Sequence, residues 1–243
     1  MAPRKGVFHV GTSGWQYLHW KNVFYPGDLR EKHWFKYYAG HFATVEINNS
    51  FYHLPSAGTF ESWREAGPKG FCYTLKFSRY GSHLKKLKDP ADSIGKFLER
   101  AEILGELLGP ILVQLPPHWN ADAVRLDEFL DAAPDRVRWA VEFRDPSWLC
   151  EEIYEVLRRH AAALCIHDLI EDHPHEITAD WVYLRFHGAG NGGDYPHQAL
   201  SAAAKRIEGY LAKGWDVYAY FNNDAQGFAV SNAMDLGRYV LGQ

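Results

Sequence analysis

The segment "PILVQLPP", residues 110–117, decides the fold class of this chain. Its apolar residues run without alternation, which is typical of a strand that is buried on both faces of a parallel sheet. A helical pattern at residues 89–109 precedes it, and a second at 123–134 follows it. Because a strand between two helices is the repeating unit of an α/β fold, this stretch predicts a parallel sheet covered by helices.

The same unit recurs along the whole sequence. Eight apolar segments predict strands, at residues 7–14, 44–51, 72–80, 110–117, 138–145, 163–169, 181–188 and 216–224. Helices are predicted at residues 31–42, 56–67 (with Ser56 as a cap), 89–109, 123–134, 151–162 and 201–214, and in a final segment that runs toward Leu241. Residues 170–180 are too short and polar for a regular helix, and the glycine-rich residues 188–196 predict a flexible loop.

Eight strands separated by helices in 243 residues match the expected size of a (β/α)8 TIM barrel. We expect an α/β protein with a single TIM-barrel domain over residues 1–243 and an irregular unit between strands six and seven. A doubly wound open sheet is the alternative, but it does not require eight strands, and no GxGxxG motif follows the first strand.

Composition excludes some classes of protein. The net charge is −4 and the isoelectric point is about 6.3, so the chain lacks the global basic field of a DNA-coating protein. Its three cysteines form no CxxC pair, which favours free thiols in a reducing compartment. The N-terminus has no apolar signal region, and the longest apolar runs are too short to span a bilayer. We expect a cytoplasmic protein without a membrane segment; the oligomeric state stays open.

Polar residues recur on one face of most predicted strands, toward their carboxyl ends. They are Glu46, Asn48 and Ser50; Lys76 and Ser78; Gln114; Glu142 and Arg144; Arg185 and His187; and Tyr220 and Asn222, while strand six offers His167 or Asp168. One such residue would indicate a solvated strand edge. Repetition predicts a shared site at the barrel mouth, because buried charges are costly unless they are paired or bind a ligand. The alternative is a self-satisfied lattice of ion pairs among the same residues.

Several of these strand ends carry motifs that resemble the YecE-like family, domain of unknown function 72. The motifs are "GTSGW" (11–15), "VFYP" (23–26), "TVEINNSFY" (44–52), "QLPP" (114–117), "VEFRDPSW" (141–148), "VYLRFHG" (182–188) and "YAYFNND" (218–224). The resemblance covers the chain from about residue 7 to residue 241. It implies a TIM-barrel fold and does not imply a reaction.

The sequence departs from the family pattern at two places. Asn48-Asn49-Ser50 stands where many relatives have a single asparagine and then a hydroxyl residue. His167 precedes Asp168 where an alanine would be expected, which favours Asp168 as the site residue of strand six.

The cations at the strand ends favour an anionic substrate, since arginine and lysine match phosphate or carboxylate groups. We expect an enzyme that acts on a phosphate ester or a nucleic-acid backbone, with Glu142 as general base and His187 as general acid. Lys76, Arg144 and Arg185 would clamp the anion. The other expected substrate-binding residues are Asn48, Gln114, Asp168, Asn222, Asp224, Ser13, Trp15 and Tyr52. The basic segment "RYGSHLKKLK" (79–88) could extend binding along a polyanion.

Two other functions stay open. Glu46 and Glu142 could be the paired carboxylates of a carbohydrate hydrolase, although the many cations argue against a neutral glycan. The aromatic residues that would flank such a sugar cleft are Trp15, Tyr17, Trp20, Tyr52 and Trp148. The same residues could also form a binding module without turnover. No cofactor is expected. Carboxylates and His187 could hold a divalent metal, but no metal-binding spacing supports one and the neighbouring cations would repel it.

Overall fold

Strands and helices alternate along the chain as the sequence predicts. The computed structural model describes residues 5–188 and 193–242. Its strands are β1 (Phe8–Thr12), β2 (Thr44–Ile47), β3 (Cys72–Lys76), β4 (Leu108–Gln114), β5 (Trp139–Glu142), β6 (Ala163–His167), β7 (Trp181–Phe186) and β8 (Asp216–Phe221). They belong to one eight-stranded sheet with the order β1-β8-β7-β6-β5-β4-β3-β2, and the fold is a (β/α)8 TIM barrel.

The α-helices of the described residues follow the strands. They are α1 (Trp34–Ala39), α2 (Asn49–Tyr52), α3 (Ala57–Ala66), α4 (Pro90–Ala101), α5 (Ala123–Asp131), α6 (Glu151–Arg159), α7 (His197–Ala212) and α8 (Phe228–Leu241). Ser56 caps α3 as predicted, since its hydroxyl accepts a hydrogen bond from the backbone N–H of Thr59 at 3.3 Å. No regular helix forms between β6 and β7, as expected.

The structure differs from the predicted elements at several ends. The predicted second strand stops at Ile47, and the chain turns directly into the one-turn helix α2, so Asn48 and Ser50 do not continue a strand face. The predicted helix 89–109 ends at Ala101 and gives way to a 3-10 segment that contains Gly105 at φ 57°. The glycine-rich segment 188–196 lies partly outside the described residues.

The chain divides into two compact units. The first contains the residues up to Glu46, His167–Leu169 and the residues from Trp181 onward; the second contains Ile47–Ile166 and Ile170–Asp180. The description of residues 1–243 as one domain stays a prediction.

In the first unit, β1 and β7 both pair with β8 in parallel, and Ser13 forms a parallel bridge with Glu46 just beyond β1. Its aromatic core includes Tyr25 and Trp34, whose rings stack with their centroids 4.5 Å apart. These pairings fix the carboxyl ends of the strands from which the first group of polar side chains projects.

In the second unit, β3, β4, β5 and β6 pair in parallel in sequence order. Its core includes Phe77, which contacts Phe97, Phe129 and Trp139 at centroid distances of 5.1–6.0 Å. Gln114 and Glu142 are directly paired in the register of β4 and β5, which places their side chains side by side at the carboxyl ends of these strands.

Candidate functional site

A closed ion pair lies at the strand ends of the first unit. Glu46 and Arg185 have side chains that are 0% and 1% exposed, and Nη2 of Arg185 donates to Oε1 of Glu46 at 2.7 Å. Ser13 donates its hydroxyl to Oε1, and Tyr183 donates its phenol to Oε2, both at 2.6 Å. The carboxylate therefore has donors on both oxygens and no exposed surface.

These contacts determine the ionisation of Glu46. Burial alone would raise the pKa of its carboxyl, but the Arg185 guanidinium and the hydrogen bonds from Ser13 and Tyr183 hold that pKa below its ordinary value. The carboxylate is thus ionised and neutralised inside the protein. In this state it does not offer the exposed lone pair that a nucleophile or a general base needs.

His187 lies beside the same arginine, just beyond β7. Its Nε2 is 3.4 Å from Nη1 of Arg185, and its Nδ1 is 3.2 Å from Nδ2 of Asn222. A guanidinium can only donate, so Nε2 of His187 is the acceptor in its contact with Arg185. The general-acid role of His187 stays a prediction.

Asp168 supports the backbone after β7. Its Oδ1 accepts a hydrogen bond from the backbone N–H of His187 at 2.9 Å, and its Oδ2 accepts one from the Tyr195 hydroxyl. That hydroxyl in turn accepts a hydrogen bond from the N–H of Gly188 at 2.6 Å. The carboxylate thus holds both ends of residues 187–195 by charge-assisted hydrogen bonds.

We expect Asp168→Asn to lower the free energy of unfolding by about 1–3 kcal/mol, because one acceptor of a charge-assisted pair is replaced by a donor. Chemical denaturation of the variant and of the wild type measures this difference. The exposed Asp172 provides the control, since Asp172→Asn is expected to have no measurable effect. An equal loss in both variants would contradict the role assigned to Asp168.

The remaining predicted residues of the first unit have local roles. The backbone N–H of Ser13 donates to the carbonyl of Phe221 at 2.9 Å, so it does not face an anion. Trp15 is buried, and its carbonyl accepts from the Tyr25 hydroxyl at 2.6 Å. Asp224 is half-buried, and its carboxylate lies 3.3 Å from Nε2 of His19.

The second unit carries another ionic group, on neighbouring strands. Glu142 is fully buried, and its Oε1 accepts a hydrogen bond from Nε of Arg144. Nη2 of Arg144 donates to the side-chain oxygen of Gln114 at 3.3 Å, and the Cys165 thiol lies 3.7 Å from Oε2 of Glu142. Unlike Arg185, Arg144 keeps 23% of its side chain exposed. Glu142 therefore orients a guanidinium that reaches solvent.

Lys76 and His83 both contact the aromatic ring of Phe51 in this unit. Nζ of Lys76 lies 4.3 Å from the ring centroid of Phe51, and the ring of His83 meets Phe51 edge-on with the centroids 4.9 Å apart. Lys76 ends β3 and is 8% exposed, whereas His83 lies in the short π-helical segment Tyr80–Leu84 that follows. Such π-helical turns occur frequently at functional sites.

Three cations act on His83. Burial, the first cause, and then the charges of Lys76, Arg79 and Arg144 lower the pKa of its imidazole to about 4. The electrostatic potential at this ring is therefore positive. Arg79 is exposed at the start of the π-helical segment, so the group is open to solvent on that side.

Asn48 and Tyr52 lie at the two ends of the one-turn helix α2 of the same unit. Asn48 precedes the helix, and its carbonyl accepts from the N–H of Phe51 at 3.1 Å. Tyr52 is 67% exposed. Helix α2 thus carries Phe51 inward and leaves the neighbouring phenol to solvent.

Most of the aromatic rings that the sequence offered as a sugar cleft are in the core. Trp20 and Trp148 are 0% exposed, and Trp148 stacks on Phe143 with the centroids 5.0 Å apart. A ring that is covered on both faces cannot stack on a sugar. In the part of the chain that the structure describes, no three His, Cys, Asp or Glu residues form a group that could hold a metal ion. No helix among these residues is long and apolar enough to cross a membrane.

The three residues of the predicted anion clamp therefore lie in two different environments. Lys76 and Arg144 lie in the second unit, where Lys76 is 8% exposed and the Arg144 side chain is 23% exposed, while Arg185 is enclosed with Glu46 in the first. Sequence reasoning did not include His83 or Phe51 among the site residues. The basic, aromatic segment after strand three pointed to the region of His83, but its π-helical turn has no signal in the sequence pattern.

The chain matches the family model described as protein of unknown function DUF72 over residues 9–242. It is 29% identical to UPF0759 protein YecE of Escherichia coli (strain K12) over 146 residues, which cover 60% of this chain and 51% of the relative. The matched region thus spans about half the length of that curated relative. UPF0759 protein YunF of Bacillus subtilis (strain 168) is 22% identical over 266 aligned positions, covering 95% of this chain and 93% of the relative.

Solved structures of DUF72 family proteins are similar to this chain. A crystal structure of a DUF72 family protein (TM1631) from Thermotoga maritima MSB8 has a TM-score of 0.86 and 28% identity and covers 98% of this chain and 100% of that one. A DUF72 family protein (EF0366) from Enterococcus faecalis V583 shows the same fold, with a TM-score of 0.81, 19% identity and coverage of 97% and 96%. Together with the family model, these likenesses show that the chain belongs to the YecE-like DUF72 family and has its TIM-barrel fold.

Proposed function

We propose that the second unit binds a ligand that bears a phosphate or carboxylate group, next to Lys76, Arg79 and Arg144. The observation that carries this proposal is the packing of Lys76 and His83 against the same ring, with Nζ of Lys76 4.3 Å and the His83 centroid 4.9 Å from the centroid of Phe51. The charges of Lys76, Arg79 and Arg144 add to burial in lowering the pKa of His83. An anion entering beside His83 would offset that repulsion. Arginine and lysine supply the charge-assisted hydrogen bonds that such a ligand needs.

Exposure supports placing the ligand here rather than at Arg185. The Arg144 side chain is 23% exposed, and Arg79 is open to solvent. Arg185 is 2% exposed and donates twice to Glu46, through Nε at 3.2 Å and Nη2 at 2.7 Å. We therefore assign Arg185 to the neutralisation of Glu46 and leave it out of the anion site.

We propose further that the protein is an enzyme, a hydrolase of phosphate esters that works by general acid–base chemistry. Its support is the position of the group: Lys76 ends β3, and Glu142 ends β5, at the carboxyl ends where TIM-barrel enzymes carry their active sites. In this reading Lys76 and Arg144 hold the anion. Glu142 remains the candidate general base of this reaction, and its contact with Arg144 also fixes the orientation of the guanidinium.

A thermal-shift titration with matched ligands tests this function. Glycerol 3-phosphate is expected to stabilise the protein and free glycerol is not, and the stabilisation should fall as salt rises. A short oligonucleotide as a third ligand separates a small phosphate ester from a nucleic-acid backbone as the source of the phosphate. Equal stabilisation by glycerol and its phosphate would contradict the proposal.

Replacement of one cation should weaken that binding. We expect Lys76→Gln to raise the Kd for glycerol 3-phosphate by about tenfold or more, because one charged hydrogen-bond donor is lost. Isothermal titration calorimetry measures the change. Lys96→Gln is the matched control, since Lys96 lies on α4 with 66% of its side chain exposed. A similar loss in the control would show that only net charge matters.

A further inference from the structure

The hydrogen bonds of Ser82 determine where the neutral His83 ring carries its proton. The Ser82 hydroxyl is buried and donates to the carbonyl of Ser78 at 2.9 Å. Its oxygen also lies 3.0 Å from Nδ1 of His83. Since the hydroxyl has only one hydrogen, it must accept from Nδ1, and the neutral ring therefore carries its proton there.

The other ring nitrogen of His83 is left with a lone pair. Within residues 5–188 and 193–242, no group makes a hydrogen bond to Nε2; the ring's remaining contacts are the edge-on packing with Phe51 and the charges of the three cations. The imidazole is half-buried, so part of it still reaches solvent. A fixed acceptor thus lies within a positive field at the proposed anion site.

We propose that His83 is itself a ligand-binding residue of this site and takes up one proton on Nε2 when the anion binds. The inference rests on the proposed function and extends it by naming the group that couples anion binding to protons. The proton comes from solvent, and the resulting imidazolium donates Nε2–H to an oxygen of the anion. No covalent bond to the ligand forms or breaks.

The physical reason is the balance of charge around the ring. Lys76 at the end of β3, Arg79 before the π-helical segment and Arg144 after β5 are the charged groups that act on His83, and all three disfavour its protonation. A bound anion cancels part of their field and adds an acceptor for Nε2–H. Both effects raise the pKa of the imidazole from about 4 toward its ordinary value of about 6.5, against the burial that is the first cause of the lowering.

The sign of the pH dependence follows. The free protein has a neutral His83 above about pH 4, and the complex keeps the proton up to a higher pH. Between these two pKa values, anion affinity should fall by up to about tenfold for each unit of rising pH. Above the pKa of the complex it should become flat, since His83 is then neutral in both the free and the bound protein.

Calorimetry with sulfate tests the proton uptake, because sulfate has no proton of its own to exchange at about pH 5.5. The binding enthalpy is measured in several buffers that differ in their enthalpy of ionisation. The slope of the binding enthalpy against the ionisation enthalpy of the buffer gives the number of protons taken up. We expect a slope near one proton for the wild type and near zero for His83→Gln. The control His33→Gln, at an exposed histidine of the first unit, should keep the wild-type slope.

The possible results separate the two proposals. Sulfate binding without proton uptake would overturn the role of His83 and leave the anion site in place. Absence of both sulfate and phosphate binding would overturn the anion site and this inference together. Unchanged proton uptake in His83→Gln, with circular dichroism showing an intact fold, would assign the proton to another group and also refute the inference.

Discussion

Replacing Glu46 by glutamine is expected to lower the free energy of unfolding by about 3–5 kcal/mol, because it leaves the Arg185 guanidinium buried without its counter-charge. For a chain of this length, such a loss corresponds to a fall in Tm of roughly 6–20 °C. Differential scanning calorimetry and chemical denaturation measure both quantities. The same substitution should leave anion binding in the second unit unchanged.

An exposed ion pair provides the control for this prediction. The side chains of Arg136 and Glu102 are 63% and 43% exposed, so Glu102→Gln should change stability by no more than about 1 kcal/mol. A loss of this small size for Glu46→Gln would mean that Arg185 is not enclosed as the structure shows.

The stabilisation by Glu46 also has a defined pH dependence. Because its folded-state pKa is lowered, the contribution is fully present above the unfolded-state pKa of about 4.3 and is lost as pH falls through the folded-state value. The difference in stability between wild type and Glu46→Gln should therefore shrink in acid. A difference that grows as pH falls would contradict the sign of the shift.

The second large effect concerns binding. Replacing Lys76 and Arg144 together by glutamine should raise the Kd for glycerol 3-phosphate by at least about 100-fold, since two charge-assisted contacts are removed at once. The double replacement Lys96→Gln and Arg100→Gln on α4 removes the same net charge from the surface of the same unit. Calorimetric titration should find the control within about threefold of the wild type, a loss of the size that screened surface charges give. Equal losses in the two double variants would contradict a local site.

The order of strands and helices along the chain could be predicted from its sequence. The continuous apolar run of β4 and the helical patterns around it predicted the α/β class, and eight repeats of that unit predicted the barrel. Ser56 could be recognised as a cap from its position before a helical pattern. These features depend on local periodicity and on single residue types, which a sequence displays directly.

The burial and the hydrogen-bond partners of each polar side chain could not be predicted in this way. Strand parity placed Arg185 and Arg144 in one class, yet the first is enclosed by Glu46 and the second keeps a solvent-facing side. Parity also fails where a strand ends early, as it does after Ile47. Burial and partner choice depend on tertiary contacts, which alternation along one strand does not encode.

His83 illustrates the same limit more sharply. Its residue type and basic neighbours were visible in the segment after strand three. Its tautomer, however, depends on the buried Ser82 hydroxyl and the Ser78 carbonyl, which only the π-helical turn brings together. The combination of a fixed acceptor and three cations is a property of the folded loop.

The most direct test of the anion site is a crystal soaked in tungstate, a phosphate-like oxyanion with a strong anomalous signal. We expect an anomalous peak within hydrogen-bonding distance of Lys76 Nζ and the Arg144 guanidinium, on the Nε2 side of His83. Peaks at other surfaces with none at this position would contradict it.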